Sequence, residues 1–202
     1  GYKSEELISA IWRGTEDMVK NDGKDTNETV FWRRLTEIFG KKVLADIPVF
    51  DRFYKEEFSE VKEICGFNPE AKATVEELKA EGFRVALATN PVFPHTATEA
   101  RIRWAGFSPD DFEFFTSYEN SRRCKPNPAY YLDVAEKMGL APEDCLMVGN
   151  DAEEDTAAGQ IGMDVFLITD CLINRRNADI SKYPQGSFSD LIKYVSGKAA
   201  EK

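Results

Sequence analysis

The sequence has one histidine, no closely spaced cysteine pair and no long apolar run, and each of these absences excludes a class of protein. The single histidine, His95, excludes metal sites built from several histidines and leaves one residue as the base of a catalytic triad. No nucleophile motif lies near it, so we interpret His95 as a solvated or helix-terminal residue. The four cysteines contain no C-x-x-C pair, which argues against a zinc ribbon.

Basic residues are also in deficit, at 26 against 36 acidic ones, for a net charge of −10. A surface of this sign repels phosphate backbones and anionic leaflets, so nucleic acids and membranes are poor candidate partners. No apolar run approaches the ~20 residues that cross a bilayer, and no secretory signal pattern is seen. We therefore predict a cytoplasmic protein. The glycosylation-like sequon at Asn27 is then a chance match. The sequence does not determine the oligomeric state.

Residues 1–64 are predicted to form a small helical cap. With 42% hydrophobic and 12% aromatic residues in a chain of 202, the sequence can bury a substantial core. Two stretches repeat apolar residues at the spacing of one helix face, on either side of a polar break at 21–25. Such faces usually pack helix on helix, and an aromatic-rich helical segment ahead of a different domain also fits a substrate-covering cap. The apolar positions are Leu7, Ile8, Ile11, Trp12, Met18, Val19, Phe31, Trp32, Leu35, Ile38 and Phe39.

Residues 65–202 alternate predicted helices with short, continuous apolar runs. Such runs are typical of strands in a parallel sheet that is covered on both faces. The alternation predicts an α/β fold with a doubly wound, Rossmann-like parallel sheet, whose ligands bind beyond the carboxyl ends of the strands. The predicted strands are 85–88, 146–148 and 165–168, and the predicted helices lie near 95–105, 128–138 and 153–160.

Three segments near the predicted strand ends carry polar side chains suited to a phosphate and a metal ion. Thr89 and Asn90 follow the first strand and offer a hydroxyl, an amide and backbone N–H groups to anionic oxygens. Lys125 lies in a proline-containing loop before a capped helix, where a fixed ammonium group can neutralise phosphoryl charge. Asp151 and Asp155 follow the second strand, one helical turn apart, as hard oxygen ligands suited to Mg²⁺.

Each segment also has a purely structural interpretation. A Thr-Asn-Pro sequence is ordinary turn chemistry, and a basic loop is commonly solvated. Asp151 is suited to capping a helix, and the carboxylates at 153–155 would complement the dipole of that helix. The residues taken one segment at a time leave these alternatives open.

The order of the three segments resembles a known family. A strand followed by threonine, a loop with Lys-Pro, and a strand followed by Gly-Asn-Asp-x-x-x-Asp are similar to the second, third and fourth motifs of the haloacid dehalogenase (HAD) superfamily of phosphohydrolases. The resemblance covers the chain from about residue 65 onward, and the helical front is similar to the cap of many members. Four stretches resemble a bacterial HAD subgroup of unassigned substrate: 85–94, 101–107, 124–131 and 146–155.

The resemblance implies a Mg²⁺-dependent enzyme that transfers a phosphoryl group from a small metabolite to an aspartate and then to water. It assigns phosphoryl binding to Thr89 and to the backbone at Asn90. It assigns charge neutralisation of the nucleophile and the transferring group to Lys125. The metal is assigned to Asp151, with Asp155 as a second ligand or acting through water.

The register of the metal ligands has an alternative. Many family members have Gly-Asp where this chain has Gly149-Asn150. The ligand pair is therefore either Asp151 with Asp155 or Asn150 with Asp155.

The family's nucleophile motif, D-x-D-x-[TV], does not occur in the sequence. We expect that an N-terminal segment is missing, and with it a central strand between those at 84–89 and 145–149. Loss of about 5–6 residues of central strand would remove buried side chains worth roughly 1.5–3 kcal/mol each and expose two strand edges. The chain alone is then expected to be inactive and marginally folded or aggregating. The alternatives are a non-catalytic phosphate-binding scaffold, or a strand supplied by another chain.

Overall fold

The computed structural model describes residues 1–200, with side chains up to residue 198. The chain forms two compact units. The first unit consists of Gly1–Phe67 and Ala86–Cys124, and the second of Asn68–Val85 and the chain from Lys125 onward. All residues of the predicted cap belong to the first unit, which also contains 86–124. The division into a cap at 1–64 and a core at 65–202 stays a prediction.

Helices dominate the described part of the chain. The α-helices are α1 (Ser4–Val19), α2 (Asn27–Phe39), α3 (Ile47–Lys55), α4 (Pro69–Ala80), α5 (His95–Trp104), α6 (Pro128–Met138) and α7 (Phe188–Ala200). Short 3₁₀ helices span Lys41–Asp46, Glu57–Ile64, Pro109–Asp111, Pro142–Asp144 and Asp155–Ile161. The strands are β1 (Leu146–Gly149), β2 (Asp164–Ile168) and β3 (Gln185–Gly186).

The first unit has an aromatic core, but α1 faces it differently from the prediction. Ile8 and Trp12 are 55% and 69% exposed, so the apolar face assigned to them is wrong. The helix instead buries Ala10, Gly14 and Met18, because small residues allow α2 to approach closely. A Cβ at Gly14 would lie 2.7 Å from the Phe31 ring. The buried core residues are Met18, Phe31, Trp32, Leu35, Val43, Tyr118 and Cys124.

The first predicted strand, at 85–88, is wrong in extent. It forms a single parallel bridge, between Leu87 and Phe115, and Thr116 N donates to Leu87 O at 3.1 Å. One step further along, the carbonyl of Thr116 accepts the Thr89 hydroxyl at 3.1 Å. A side-chain hydroxyl thus binds this carbonyl where a longer ladder would place a backbone N–H.

The second unit contains a parallel sheet with the strand order β1, β2, β3. The strands β1 and β2 confirm those predicted at 146–148 and 165–168, and Gly149 lies opposite Leu167. Residues 165–168 are buried, whereas β1 is half-buried throughout. The buried core on this sheet consists of Phe166, Ile168, Leu191 and Val195, with Leu78, Leu146, Val148, Phe188 and Tyr194 packed against it.

The predicted α/β class with a parallel sheet is confirmed by these elements. Helices α5 and α6 lie where helices were predicted near 95–105 and 128–138. The helix predicted at 153–160 is instead the 3₁₀ helix Asp155–Ile161, because the buried carboxylate of Asp155 binds the preceding turn, as described below. None of the helices within residues 1–200 has the length and apolar character that spanning a bilayer requires.

Candidate functional site

The turn after β1 is organised by one buried carboxylate. Asp155 is 3% exposed, and its Oδ2 accepts the backbone N–H groups of Asn150 and Asp151, each at 2.8 Å. Its Oδ1 accepts a hydrogen bond from Lys125 Nζ at 2.6 Å. We call residues 149–155 the carboxylate turn, because this single side chain fixes its backbone.

Glycine at position 149 is required by this arrangement. A Cβ built on Gly149 would lie 2.0 Å from Asp155 Oδ2, which is far inside van der Waals contact. The strand therefore ends in a residue without a side chain so that the carboxylate can reach the two backbone N–H groups. This glycine belongs to the Gly-Asn-Asp motif of the sequence, and its contact with Asp155 explains why a residue without a side chain stands there.

Lys125 and Asp155 form an ion pair whose side chains are only 7% and 5% exposed. Moving two charges out of water is costly, and the cost is offset only where good geometry and additional hydrogen bonds satisfy both groups. The two N–H groups on Asp155 are such additional bonds. Lys125 precedes a cis peptide bond to Pro126, and helix α6 then begins after Asn127, whose side chain accepts the Ala129 N–H. The structure thus brings two of the predicted site residues, Lys125 and Asp155, into direct contact.

Tyr131 is a residue that sequence analysis did not single out. It is 1% exposed, its hydroxyl donates to Glu154 O at 2.6 Å, and Lys125 Nζ lies 5.9 Å from the centre of its ring. Burial, followed by the negative charge of Asp155, raises the pKa of the Tyr131 hydroxyl well above its usual value. The side chain thus holds the backbone next to Asp155 while its ring lies near the ammonium group. The sequence feature that could have identified Tyr131 is its position in the first turn of the helix that follows Lys-Pro.

Asp151 caps the turn, as the structural interpretation proposed, and keeps one oxygen available. Its Oδ1 accepts the N–H groups of Glu153 and Glu154, each at 2.9 Å. Asn150 Nδ2 donates to Cys171 O at 2.7 Å. Among the described residues, no hydrogen bond reaches Asp151 Oδ2 or Asn150 Oδ1.

These donors fit a divalent cation of the Mg²⁺ type only in part. Mg²⁺ takes one or two carboxylates and completes its shell with water and substrate phosphate, which Asp151 Oδ2 and Asn150 Oδ1 allow. Asp155 is less suited, since Lys125 and two N–H groups already bind its oxygens. Within residues 1–200 there is no cluster of three or more His, Cys, Asp or Glu side chains that could hold a metal ion.

Thr89 and Asn90 lie in the first unit, in what we call the threonine turn, residues 89–91. The Thr89 hydroxyl donates to Thr116 O, and the Thr116 hydroxyl donates to Thr89 O at 2.9 Å. The single Thr89 hydroxyl proton is therefore committed within the unit, while Val92 N donates to Asn90 O at 2.9 Å. The phosphate-binding role of these two residues stays a prediction, and Thr116 is a partner that the sequence did not reveal.

His95 lies where it was predicted, exposed and at the first position of α5. Its backbone N–H donates to the Glu119 carboxylate at 2.8 Å, and its ring packs against Phe115 with 4.4 Å between centroids. It serves as a helix-terminal residue in this fold.

Together the fold and the site define an α/β protein with a buried lysine–carboxylate pair at the carboxyl end of a parallel strand. The family model for haloacid dehalogenase-like hydrolases matches residues 5–162, and the chain belongs to that family. This match confirms the resemblance drawn from the motif order.

Curated relatives include phosphatases. The chain is 33% identical over 126 residues to hexitol phosphatase A of Escherichia coli, covering 62% of this chain and 54% of the relative. It is 26% identical over 170 residues to a phosphoglycolate phosphatase of Nitrosospira multiformis, covering 81% and 66%. The chain thus spans between half and two thirds of the length of these relatives.

Solved structures share the fold. A 2-haloacid dehalogenase from Pseudomonas syringae pv. tomato aligns with a TM-score of 0.60 at 20% identity, covering 97% of this chain and 82% of the other. A HAD phosphatase from Thermococcus onnurineus aligns with a TM-score of 0.56 at 19% identity, covering 95% and 91%. At such identities the likeness is one of fold.

Proposed function

We propose that the intact protein is a Mg²⁺-dependent cytoplasmic phosphatase that acts on a small phosphorylated metabolite. The observation that carries this proposal is the carboxylate turn, in which the Lys125–Asp155 pair fixes the backbone and leaves Asp151 Oδ2 available. The names of the relatives, a hexitol phosphatase and a phosphoglycolate phosphatase, support a small phosphate ester as the substrate class.

In the proposed reaction an aspartate oxygen attacks phosphorus, the bond from phosphorus to the substrate oxygen breaks, and that oxygen takes up a proton. Water then cleaves the aspartyl-phosphate. Lys125 supplies fixed positive charge beside the reacting group, and Thr89 with the backbone at Asn90 binds phosphoryl oxygens. The Thr89 hydroxyl must rotate away from Thr116 O to donate to such an oxygen.

Asp151, with Asn150 as its neighbour, would hold Mg²⁺, which supplies charge neutralisation at the phosphoryl oxygens when it is bound. Asp155 orients this turn through its N–H contacts instead of binding the metal directly. Of the two registers, the proposal takes the one with Asp151 as the carboxylate ligand, and Asp155 acts by orienting the turn.

A catalytic test has to supply the attacking aspartate, because the 202 residues contain no D-x-D-x-[TV] motif. We expect the chain alone to show no turnover of p-nitrophenyl phosphate. A version extended at its N-terminus by an apolar strand ending in this motif should hydrolyse the ester in the presence of Mg²⁺. The matched control has the first aspartate of the motif changed to asparagine.

Two results would contradict the proposal: an extended protein that folds but has no activity, or Asp151→Ala in the extended protein with unchanged activity. The second candidate function, a non-catalytic phosphate-binding scaffold, is favoured by the commitment of the Thr89 hydroxyl to Thr116. It predicts phosphate binding by the extended protein without turnover.

A further inference from the structure

Asn27, the first residue of α2, is a fully buried amide that sequence analysis treated only as part of a chance sequon. Its exposure is 0%. Burying an amide without hydrogen bonds costs several kcal/mol, so a fully buried asparagine is expected to have partners on all sides. Its partners are therefore informative about what this position does.

The amide of Asn27 contacts three separate segments of the first unit. Nδ2 donates to Pro91 O at 3.1 Å and to Cys124 Sγ at 3.3 Å, and lies 3.5 Å from Arg123 O. Oδ1 accepts Asn21 Nδ2 at 2.8 Å. One side chain thus joins the polar break before α2 to two distant loops.

Backbone contacts hold α2 to the same region. The first N–H groups of a helix have no partner within the helix. Here Asn27 N donates to Ser121 O and Glu28 N donates to Tyr118 O, both at 2.9 Å. The start of α2 is therefore bound to residues 118–121 through its backbone, in addition to the side-chain contacts of Asn27.

The two loops are those that carry the predicted phosphate-binding residues. Pro91 directly follows Thr89 and Asn90, and its side chain is less than 2% exposed. Cys124, 1% exposed, directly precedes Lys125. A shift of either loop would move a predicted phosphoryl contact, and both loops are bound by one amide.

We propose that Asn27 is a positioning residue that holds the threonine turn in the conformation that binds phosphate, by joining it to Cys124 within the first unit. The proposal rests on the proposed function, since it assigns a purpose to loops that the function places at the phosphoryl group. Asn27 itself contacts no substrate in this account. An apolar side chain of equal size would fill the space but would leave the carbonyl of Pro91 without its donor.

The test compares Asn27→Ala with Ile102→Ala, a control at a buried position (3% exposed) on α5. Both variants are made in the N-terminally extended protein described above, which serves as wild type. The first measurement is alkylation of Cys124 by iodoacetamide, followed by peptide mass spectrometry with the exposed Cys65 and Cys171 as internal references. Loss of the amide should accelerate Cys124 labelling by about tenfold, as expected for one lost buried hydrogen bond. Ile102→Ala should label at nearly the wild-type rate.

The second measurement is calorimetric titration with inorganic phosphate in the presence of Mg²⁺. Asn27→Ala should bind phosphate about tenfold more weakly than wild type, and Ile102→Ala should bind as wild type does. If Asn27→Ala does not fold, Asn27→Leu fills the space of the amide while removing both donors. It should give the same two changes.

Equal phosphate affinity in the Asn27 variants and wild type would overturn the positioning role. So would equal acceleration of Cys124 labelling in Ile102→Ala, because a general loss of stability would then explain the effect. If wild type itself binds no phosphate, the proposed function fails. The labelling comparison still decides whether Asn27 holds the two loops.

Discussion

The carboxylate turn and the threonine turn satisfy their polar groups in different ways. In the first, one buried carboxylate collects an ammonium group and two N–H groups. In the second, Thr89 and Thr116 each donate a hydroxyl proton to the other's carbonyl. Removing one member of the first set leaves a buried charge, whereas removing one hydroxyl leaves only a neutral carbonyl. The carboxylate turn should therefore be much more sensitive to substitution.

The largest effect is expected from Lys125→Met, which removes the ammonium group and leaves Asp155 charged and buried. Breaking such a pair costs about 3–5 kcal/mol, measured as the free energy of unfolding in urea of the N-terminally extended protein, which is the wild type for all the variants below. The double variant with Asp155→Asn should recover part of this loss, because the unpaired charge is removed while an oxygen still accepts the two N–H groups. If Lys125→Met is no less stable than Thr89→Val, the contrast between the two turns is wrong.

A smaller loss is expected from Gly149→Ala, whose Cβ would lie 2.0 Å from Asp155 Oδ2. The carboxylate has to move away from the two N–H groups, at a cost of about 1–3 kcal/mol. Gly159→Ala is the matched control, since its nearest neighbours lie at 3.7 Å, and it should unfold close to wild type. Equal losses in the two variants would argue that Asp155 is not held as described.

Tyr131→Phe tests the link between α6 and the carboxylate turn through pH. The pKa of Tyr131 is raised in the folded protein, so above about pH 10 the unfolded chain loses this proton while the folded chain keeps it. Stability present below that pH is therefore lost as pH rises, with a slope of roughly 1.4 kcal/mol per pH unit for this group.

Unfolding free energies measured between neutral and strongly alkaline pH should show a shallower decline in Tyr131→Phe than in wild type. Tyr118 has a raised pKa through burial as well, so part of the decline should remain. An unchanged slope would mean that the Tyr131 hydroxyl is not buried as the structure places it.

The smallest effect is expected in the threonine turn. Thr116→Val removes the hydroxyl that donates to Thr89 O, and a neutral hydrogen bond contributes about 0.5–1.5 kcal/mol. Urea unfolding should show a loss in that range. A loss as large as that of Lys125→Met would mean that the two turns are equally sensitive to substitution, which contradicts the comparison.

The sequence predicted the parts of the fold that depend on local pattern. The apolar runs at 146–148 and 165–168 and the capped helix at 128–138 are read from hydrophobicity and from proline after asparagine. The face of α1 was missed because the approach of Phe31 to Gly14 is a long-range packing choice that helical spacing does not encode.

The site was predictable in its residue types but not in its connections. The motif order identified Lys125, Asp151 and Asp155, whereas the ion pair between the first and the last depends on contacts across 30 positions. Tyr131, Thr116 and Asn27 were missed for the same reason: each acts through a partner that is distant in sequence.

The most direct test of the account is calorimetric titration of Mg²⁺, in the presence of inorganic phosphate, into wild type, Asp151→Asn, Asn150→Ala and Glu153→Gln. The account predicts that Asp151→Asn abolishes the binding seen in wild type, that Asn150→Ala weakens it, and that Glu153→Gln leaves it unchanged. Binding that survives in Asp151→Asn, or that is lost in Glu153→Gln to the same degree, would contradict the assignment of this turn as the metal and phosphoryl site.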